Sequence, residues 1–476
     1  MDDKKKQLER VASLDFLRGL AIFVMTFAHC FYHVYDYKWA IDNPSLLLRY
    51  PKVLVGFGLL IAYFGSWNTF FLLLSSTVNT LGMSKSAREN KNLEKVLYKK
   101  LIAGGALLLF GQIIESFGYY GYFGYLLKGK IRWNDSYEIW SAFFGIMTIQ
   151  IIGWSLIITS VINYLLLRNN GHRNYLRNIL IYFLLAIFVL ILTPFVHQWV
   201  DSMPWKKPPS LPPYEYMVTT DIRWPNIHVQ AYNASFKTWL LILIGGELEP
   251  FFPCLATAFV GAITGLTLGF PNPPKVFLKI GALLATISIG LGVLLIILGL
   301  SYSIIDQRPA LSTELIQLGG QVLVILFILW LVEFKGRGEK FANLRLVRYL
   351  RKWAIISLSL FWLELYDILP KWTLNITFGR KYKLNFFDHI FGYGKLTYAF
   401  LVALYSIIWY DLLIRLWARV NFKYSFEWFI LKFQKLGAKQ YTPRINVDLM
   451  LNKVKWIDYN STVGESVPTT IKAKLQ

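Results

Sequence analysis

The sequence predicts an all-α integral membrane protein with about ten transmembrane helices, and roughly 9 to 11 are compatible with the pattern. The first observation is composition. The 476 residues are 55% hydrophobic and only 16% charged, with a mean hydropathy of +0.42, which argues against a soluble domain or a disordered tail. The second is that apolar runs of about 20 residues, long enough to cross a bilayer of roughly 30 Å, recur along the chain.

The predicted spans follow these runs in order. The first run comes after the charged segment MDDKKKQLER and lacks a small-residue cleavage site, so we expect a retained helix and not a cleaved signal. The apolar stretch 238–245 is too short to cross, and we expect a re-entrant or interfacial piece there. The predicted spans are residues 14–35, 53–78, 101–127, 139–167, 179–199, 251–270, 276–305, 314–332, 353–369 and 396–417.

Charge predicts the orientation. Lys and Arg number 50 against 28 Asp and Glu, and their density in alternate loops, if the N-terminus is inside, is about twice that of the other loops. We therefore expect both termini in the cytoplasm, with a transmembrane domain over residues 1–420 and a basic cytoplasmic tail over 421–476. In a membrane protein this charge favours anionic lipid as a partner, and we expect no nucleic acid.

The sequence predicts neither a metal site nor a disulfide framework. The only cysteines, Cys30 and Cys254, lie in apolar runs, which excludes a disulfide framework and a cysteine zinc site. The carboxylates are too scattered to predict a metal site, and no P-loop or dinucleotide fingerprint occurs. We expect no metal.

The first span carries a polar stripe. A charge inside a span costs roughly 2.5–3.5 kcal/mol, so each one needs an explanation. At 3.6 residues per turn, six side chains of this segment fall within about 60° of one line. They are Asp15, Arg18, Ile22, His29, His33 and Asp36.

Simpler interpretations exist for each residue alone. Ser13 or Asp15 could cap the helix, Arg18 could extend to lipid phosphates, and a single histidine in a span is often only hydrogen-bonded within the core. The combination of an acid, an arginine and a histidine on one face favours a functional site over these alternatives.

The string from Arg10 to His29, RVASLDFLRGLAIFVMTFAH, resembles the opening helix of the heparan-alpha-glucosaminide N-acetyltransferase catalytic family and its prokaryotic relatives. Arg18 and His29 are also similar to the Arg, ten residues, His pattern of bacterial integral-membrane O-acyltransferases. Shorter similarities are Phe252-Pro253 before the Gly261 and Gly265 helix, Ser357-Leu358-Ser359, and Ser425-Phe426-Glu427-Trp428.

One departure bears on the acceptor. In the animal lysosomal enzymes the position matching His29 resembles an asparagine, and the proposed catalytic histidine follows in the next loop. Residues 36–42 of this chain, DYKWAID, hold no histidine. The catalytic role therefore passes to His29 by the O-acyltransferase pattern, and the acceptor, amine or hydroxyl, stays open.

The resemblance implies an enzyme that takes an acyl group from acetyl-CoA or another short acyl-CoA and transfers it to a sugar or lipid-linked glycan across the membrane. His29 is then the general base, with His33 as a second catalytic candidate. Arg18, with Ser13 nearby, would bind a CoA phosphate, and Asp15 would orient Arg18 or cap the helix. Arg18 and His29 are about 16.5 Å apart along the helix axis, comparable to a pantetheine arm.

Further polar residues lie in later spans. Gln112 and Glu115 share one helix face, as do Glu364 and Asp367, and we assign all four to acceptor binding. Structural hydrogen bonds between helices are the alternative for each pair. Glu247 and Glu249, after the Gly245-Gly246 break, either line a cavity or face solvent.

Two other classes compete with the enzyme. A transporter or a lipid or sugar flippase would use the same polar stripe as a substrate or proton path. A sensing membrane protein would bind CoA or another ligand without turnover.

For the enzyme, we favour direct transfer of the acyl group over a covalent acyl-histidine intermediate, which also stays open. We expect the plasma membrane as the location, and a homodimer is compatible with the sequence.

Overall fold

The structure, a computed structural model, describes residues 8–35, 45, 49–65, 67–118, 121–127, 139, 143, 145–206, 233–246, 249–300, 308–382, 385–387, 395–434 and 445–460. Across these residues the chain is helical, apart from a small parallel sheet of β1 (Leu8–Arg10) and β2 (Val454–Trp456). Eight helices of the described part are long and apolar enough to cross a membrane. This confirms the prediction of a multi-pass all-α membrane protein.

The helices of the described part, in chain order, are α1 (Ala12–Tyr32), α2 (Lys52–Gly65), α3 (Asn68–Arg88), α4 (Leu93–Phe117), α5 (Tyr122–Leu127), α6 (Thr148–Leu167), α7 (Tyr175–Asp201), α8 (Phe236–Gly245), α9 (Phe251–Leu268), α10 (Val276–Ile297), α11 (Leu311–Val332), α12 (Gly338–Ala342), α13 (Arg345–Ile355), α14 (Ser357–Trp362), α15 (Ile368–Leu374), α16 (Arg380–Tyr382), α17 (Lys395–Arg419), α18 (Phe426–Phe433) and α19 (Val447–Asn452). A 3-10 turn, Gly171–Arg173, precedes α7, and a second 3-10 turn, Leu363–Asp367, precedes α15. A π turn, Asn375–Gly379, follows α15.

Three of the ten predicted spans are divided. The segment 53–78 becomes α2 and α3, which meet at Trp67 with non-helical backbone angles. The segment 101–127 becomes the end of α4 and α5, because Gly118 leaves the helical region at φ −78° and ψ −150°. The segment 353–369 becomes α13, α14 and the 3-10 turn, because Ile356 leaves the helical region at φ −121° and ψ 35°. α13 carries Arg345, Arg348 and Arg351 at helical spacing, and such an amphipathic helix is unsuited to cross the hydrocarbon as one continuous span.

The two described ends of the chain meet. In the β1–β2 pair Leu8 is opposite Val454 and Arg10 is opposite Trp456. We call the side of the bundle at which this sheet lies the terminus side, and the opposite side the distal side. α1 therefore runs from the terminus side towards the distal side.

The described residues after α17 pack on the bundle. The ring of Phe426 in α18 lies 4.6 Å from that of Phe110 in α4, and Phe422 is fully buried in the same core as Trp353 and Tyr410. The part of the predicted tail that the structure describes is thus attached to the transmembrane helices.

Close helix contacts depend on small residues. A Cβ at Gly265 of α9 would lie 2.4 Å from the Thr77 carbonyl oxygen of α3, and a Cβ at Gly19 of α1 would lie 2.0 Å from the Leu350 carbonyl oxygen of α13. Glycine at these two positions lets the backbones approach, as is common between membrane helices. The Gly19 contact fixes α13 against the polar helix α1.

Candidate functional site

The terminus-side end of the polar stripe holds a partly buried ion pair. Arg10 Nη2 donates to Asp15 Oδ1 at 2.8 Å, and the Ser13 backbone N–H donates to Glu333 Oε1 at 2.9 Å. The N-cap of α1 is Val11, and no side chain caps it. Asp15 therefore contacts Arg10, and the capping interpretation of Ser13 and Asp15 is wrong.

Arg18 lies one turn further along α1. Its Nη2 donates to the Ala354 carbonyl oxygen, 2.9 Å away in the last turn of α13, while its Nε has no hydrogen-bond partner among the described residues. Asp15 and Glu427 lie within electrostatic range of the guanidinium. A guanidinium held in this way keeps donors available for an anion such as a phosphate oxygen.

The distal end of α1 carries a second polar group. His33 Nδ1 lies 3.0 Å from Asp367 Oδ2, and Lys371 Nζ lies 2.8 Å from the same oxygen. All three side chains are at most 5% exposed. The His29 ring is half-buried, and its centroid is 6.2 Å from that of His33. The structure thus brings together three predicted site residues, His29, His33 and Asp367.

The broken helix after Ile356 positions this group. Asp367 ends the 3-10 turn and Lys371 lies four residues later in α15, so both side chains point to the same place. The Lys371 ammonium also lies 3.4 Å from the His33 carbonyl oxygen, and Asp367 Oδ1 has no hydrogen-bond partner in the described part of the chain. Buried charges of this kind are costly unless paired, so their retention favours a role beyond packing.

The other predicted acceptor-binding residues lie elsewhere or outside the described part. The Gln112 side-chain amide donates to the Phe143 carbonyl oxygen, and Glu115 is half-buried on the same helix, α4, which packs mainly against α6. The side chain of Glu364 and the residues Asp36 and Glu247 lie outside the described residues. Gln112 therefore makes the structural hydrogen bond that was its alternative interpretation.

Two of the motifs that carry the resemblance contact each other. The Leu358 N–H donates to Glu427 Oε1 at 2.8 Å, and the Ser359 hydroxyl donates to Glu427 Oε2 at 2.6 Å. The Phe426 N–H in turn donates to Ser359 Oγ at 2.8 Å. This contact joins α14 to α18 next to the terminus-side half of α1.

A separate set of buried carboxylates lies between α6, α9 and α11. The Thr148 hydroxyl donates to Glu249 Oε1 at 2.6 Å, and the Thr257 hydroxyl donates to Glu314 Oε1. Glu314 is fully buried, and its Oε2 has no hydrogen-bond partner among the described residues. Glu249 is buried, so the interpretation that it faces solvent is wrong.

Sequence reasoning missed several of these residues. Lys371 could have been found from its spacing of four from Asp367, but it lies past the predicted end of the ninth span. Glu333 and Glu427 could not have been found from sequence spacing, because the residues that they contact are remote in sequence. In the described part of the chain, no group of three or more His, Cys, Asp or Glu side chains could hold a metal ion.

Comparison with known proteins adds no relative: no protein-family model matches the chain, and no curated protein matches it.

Proposed function

We propose that the protein is a membrane-embedded acyltransferase that moves an acetyl or other short acyl group from acyl-CoA to a sugar amine or hydroxyl. The observation that carries this function is the pair of polar groups on one helix. The Arg18 Nε, near the terminus side, has no hydrogen-bond partner among the described residues, and His29 and His33 lie with Asp367 near the distal side. The axial distance of about 16.5 Å from Arg18 to His29 suits a donor with phosphates at one end and a thioester at the other.

In this proposal the terminus side is cytoplasmic and the chain crosses the plasma membrane about ten times, with the divided segments counted among the crossings. The donor enters from the cytoplasm and the acceptor binds on the distal side. Arg18 binds a phosphate of the donor through its planar donor fork, in exchange for or together with the Ala354 carbonyl.

His29 is the base. The acceptor oxygen or nitrogen bonds to the thioester carbonyl carbon while its proton passes to the imidazole, the carbon–sulfur bond breaks, and the proton then passes to the departing CoA thiolate. His29 is half-buried and His33 is buried, and this difference in exposure favours His29 as the histidine that meets the acceptor.

His33 and Asp367 support that base. If His33 donates from Nδ1 to Asp367, the lone pair of its ring lies on Nε2, which makes His33 a proton acceptor of fixed orientation beside His29. His33 is accordingly the second candidate for the base, and Lys371 balances the charge of Asp367.

A transporter or flippase is the second candidate, and the broken helix favours it. Residues 357–382 change from α to 3-10, α, π and α geometry around the buried Asp367–Lys371 pair. Helices interrupted near buried charges form the substrate sites of many secondary transporters.

The test is release of free thiol from acetyl-CoA by the purified full-length protein in detergent, with a panel of amino and hydroxyl sugars. His29→Ala and Arg18→Ala should lose acceptor-dependent release while the protein stays folded, and His172→Ala, a histidine in the Gly171–Arg173 turn, is the matched control. His33→Ala tests the second base.

Release that persists in both His29→Ala and His33→Ala would contradict the catalytic assignment. Absence of acetyl-CoA binding together with transport of a sugar or lipid by the reconstituted protein would establish the transporter instead.

A further inference from the structure

A basic cleft opens at the terminus side, and neither Arg18 nor His29 is among the residues that line it. Its volume is about 690 Å³, and it lies between α13, α17 and α19. Five of its lining side chains are cationic, and Tyr349 forms part of the wall. The cationic residues are Arg345, Arg348, Lys352, Arg415 and Arg419.

The acidic groups near the cleft are too few to neutralise it. Asp411 Oδ2 lies 2.5 Å from Arg415 Nε, and Arg348 Nη2 donates to Asn452 Oδ1 at 2.6 Å. Asp448, on α19, is close enough to Arg348 to interact with it and also pairs with Lys453 at 3.5 Å. Asp411 also lies within electrostatic range of Lys352. Among the described residues, Arg345 and Arg419 remain as positive charge on the wall, so the cleft favours an anion.

An apolar stripe leads into this cleft. The outer face of α17 exposes one large aliphatic side chain per turn, with exposed fractions of 51%, 58%, 49% and 58% along the chain. The last of them is adjacent to Arg415, and Arg419 follows less than one turn later. Exposed leucines continue at the start of α13, where Leu344 and Leu346 lie next to Arg345. The four residues of the stripe are Leu404, Ile408, Leu412 and Leu416.

This arrangement matches one class of ligand. An apolar face that ends at arginines is the chemistry of acyl chains joined to a phosphate, because the chains need a dry surface and the phosphate needs guanidinium donors. A soluble phosphate compound would use only the cationic wall, whereas a phospholipid would contact both the wall and the stripe, which faces the bilayer on a helix apolar enough to cross it.

We propose that the cleft binds the phosphate of an anionic phospholipid whose acyl chains lie along the α17 stripe. α13 is fixed against α1 through Gly19 and Leu350, so the bound lipid would hold the terminus-side end of the bundle at the headgroup level. This site is independent of the proposed transferase activity.

The test measures binding of a short-chain phosphatidylglycerol to the full-length protein in an uncharged detergent. The double variant Arg345→Gln/Arg419→Gln removes two exposed charges and leaves the bonded Arg348 and Arg415 in place. We expect it to bind phosphatidylglycerol roughly 30-fold more weakly than the wild type, at about 1 kcal/mol for each charge near a membrane surface.

The matched control removes two exposed lysines from α4, as Lys95→Gln/Lys99→Gln, and should bind the lipid as the wild type does. A second titration uses coenzyme A as a soluble phosphate probe, which the cleft variant should bind unchanged. If the double variant does not fold, Arg419→Gln alone should weaken lipid binding by roughly fivefold.

Equal lipid binding by wild type, cleft variant and control would overturn the proposal, as would loss of coenzyme A binding with lipid binding intact. In the second case the cleft would be a site for a soluble nucleotide. Neither result depends on acyl transfer, so failure of the proposed enzyme leaves this test valid.

Discussion

His33 Nδ1 lies 3.0 Å from Asp367 Oδ2, across a separation of 334 residues in the chain. The contact joins the distal end of α1 to the broken helix that follows α13. Lys371 completes the group with an ion pair of 2.8 Å to the same carboxylate. Three ionisable side chains thus share one buried place, and the charge of each depends on the others.

Removal of either member of the Asp367–Lys371 pair should be strongly destabilising. Asp367→Asn leaves a buried ammonium and Lys371→Met leaves a buried carboxylate, and breaking a buried pair costs about 3–5 kcal/mol. The double variant should lose clearly less than the two single losses added together, because no unpaired charge remains. Thermal unfolding in detergent measures all three, and strictly additive losses would show that the pair is not coupled.

The polar face of α1 could be predicted because it depends only on helical period. Asp15, Arg18, His29 and His33 fall on one line in any straight α-helix, and the structure keeps the helix continuous over Ala12–Tyr32. Their partners could not be predicted in the same way. Arg10 lies five residues from Asp15, but Glu333, Ala354 and Asp367 reach α1 only through tertiary packing.

The membrane spans also could be predicted only where they depend on local sequence and not on tertiary packing. Uniformly apolar runs such as α7 and α11 were predicted close to their observed positions, since length and hydropathy decide them. The start of α10 was also correct, but α10 ends at Ile297, eight residues before the predicted end. The segment 353–369 was predicted as one span because its composition is apolar. Its break at Ile356 depends on the packing of α13 against α1 and on the hydrogen bonds from Leu358 and Ser359 to Glu427. Hydropathy gives no information on such tertiary contacts.

Gly19→Ala should force α1 and α13 apart. The added Cβ would lie 2.0 Å from the Leu350 carbonyl oxygen, which belongs to backbone and cannot rotate away. We expect a loss of about 1–3 kcal/mol of unfolding free energy or more. Gly105→Ala in α4, where no atom lies within 4 Å, is the control and should be neutral or stabilising. Equal unfolding midpoints for the two variants would argue against the close contact.

The Ser359–Glu427 contact should be worth a measurable coupling. Burial raises the pKa of Glu427, while the hydrogen bonds from Ser359 and Leu358 lower it. Ser359→Ala should cost about 1.5–3 kcal/mol, as expected for a hydrogen bond to a buried carboxyl group, and much less in a Glu427→Gln background. Ser86→Ala is the comparison, because the Ser86 hydroxyl donates to the Gly82 carbonyl oxygen of its own helix and to no other described residue. A cost at Ser359 that is unchanged by Glu427→Gln would contradict the coupling.

Glu333 should make stability depend on pH. It follows the last residue of α11, and burial raises its pKa from 4.5 to about 7, partly offset by the Ser13 N–H. Between these two values the folded protein holds a proton that the unfolded chain has released, so stability falls as pH rises from about 4.5 to 7 and is level above it.

The loss assigned to Glu333 is on the order of 3 kcal/mol, from a shift of roughly two and a half pKa values at about 1.4 kcal/mol each. Glu333→Gln cannot titrate, so its unfolding midpoint relative to the wild type should rise between pH 5 and pH 8. Glu339→Gln, at an exposed position on α12, should follow the wild type at both pH values. If the midpoints of wild type and Glu333→Gln run parallel, Glu333 keeps the same charge in both states over this range, and its burial against Ser13 does not control its protonation.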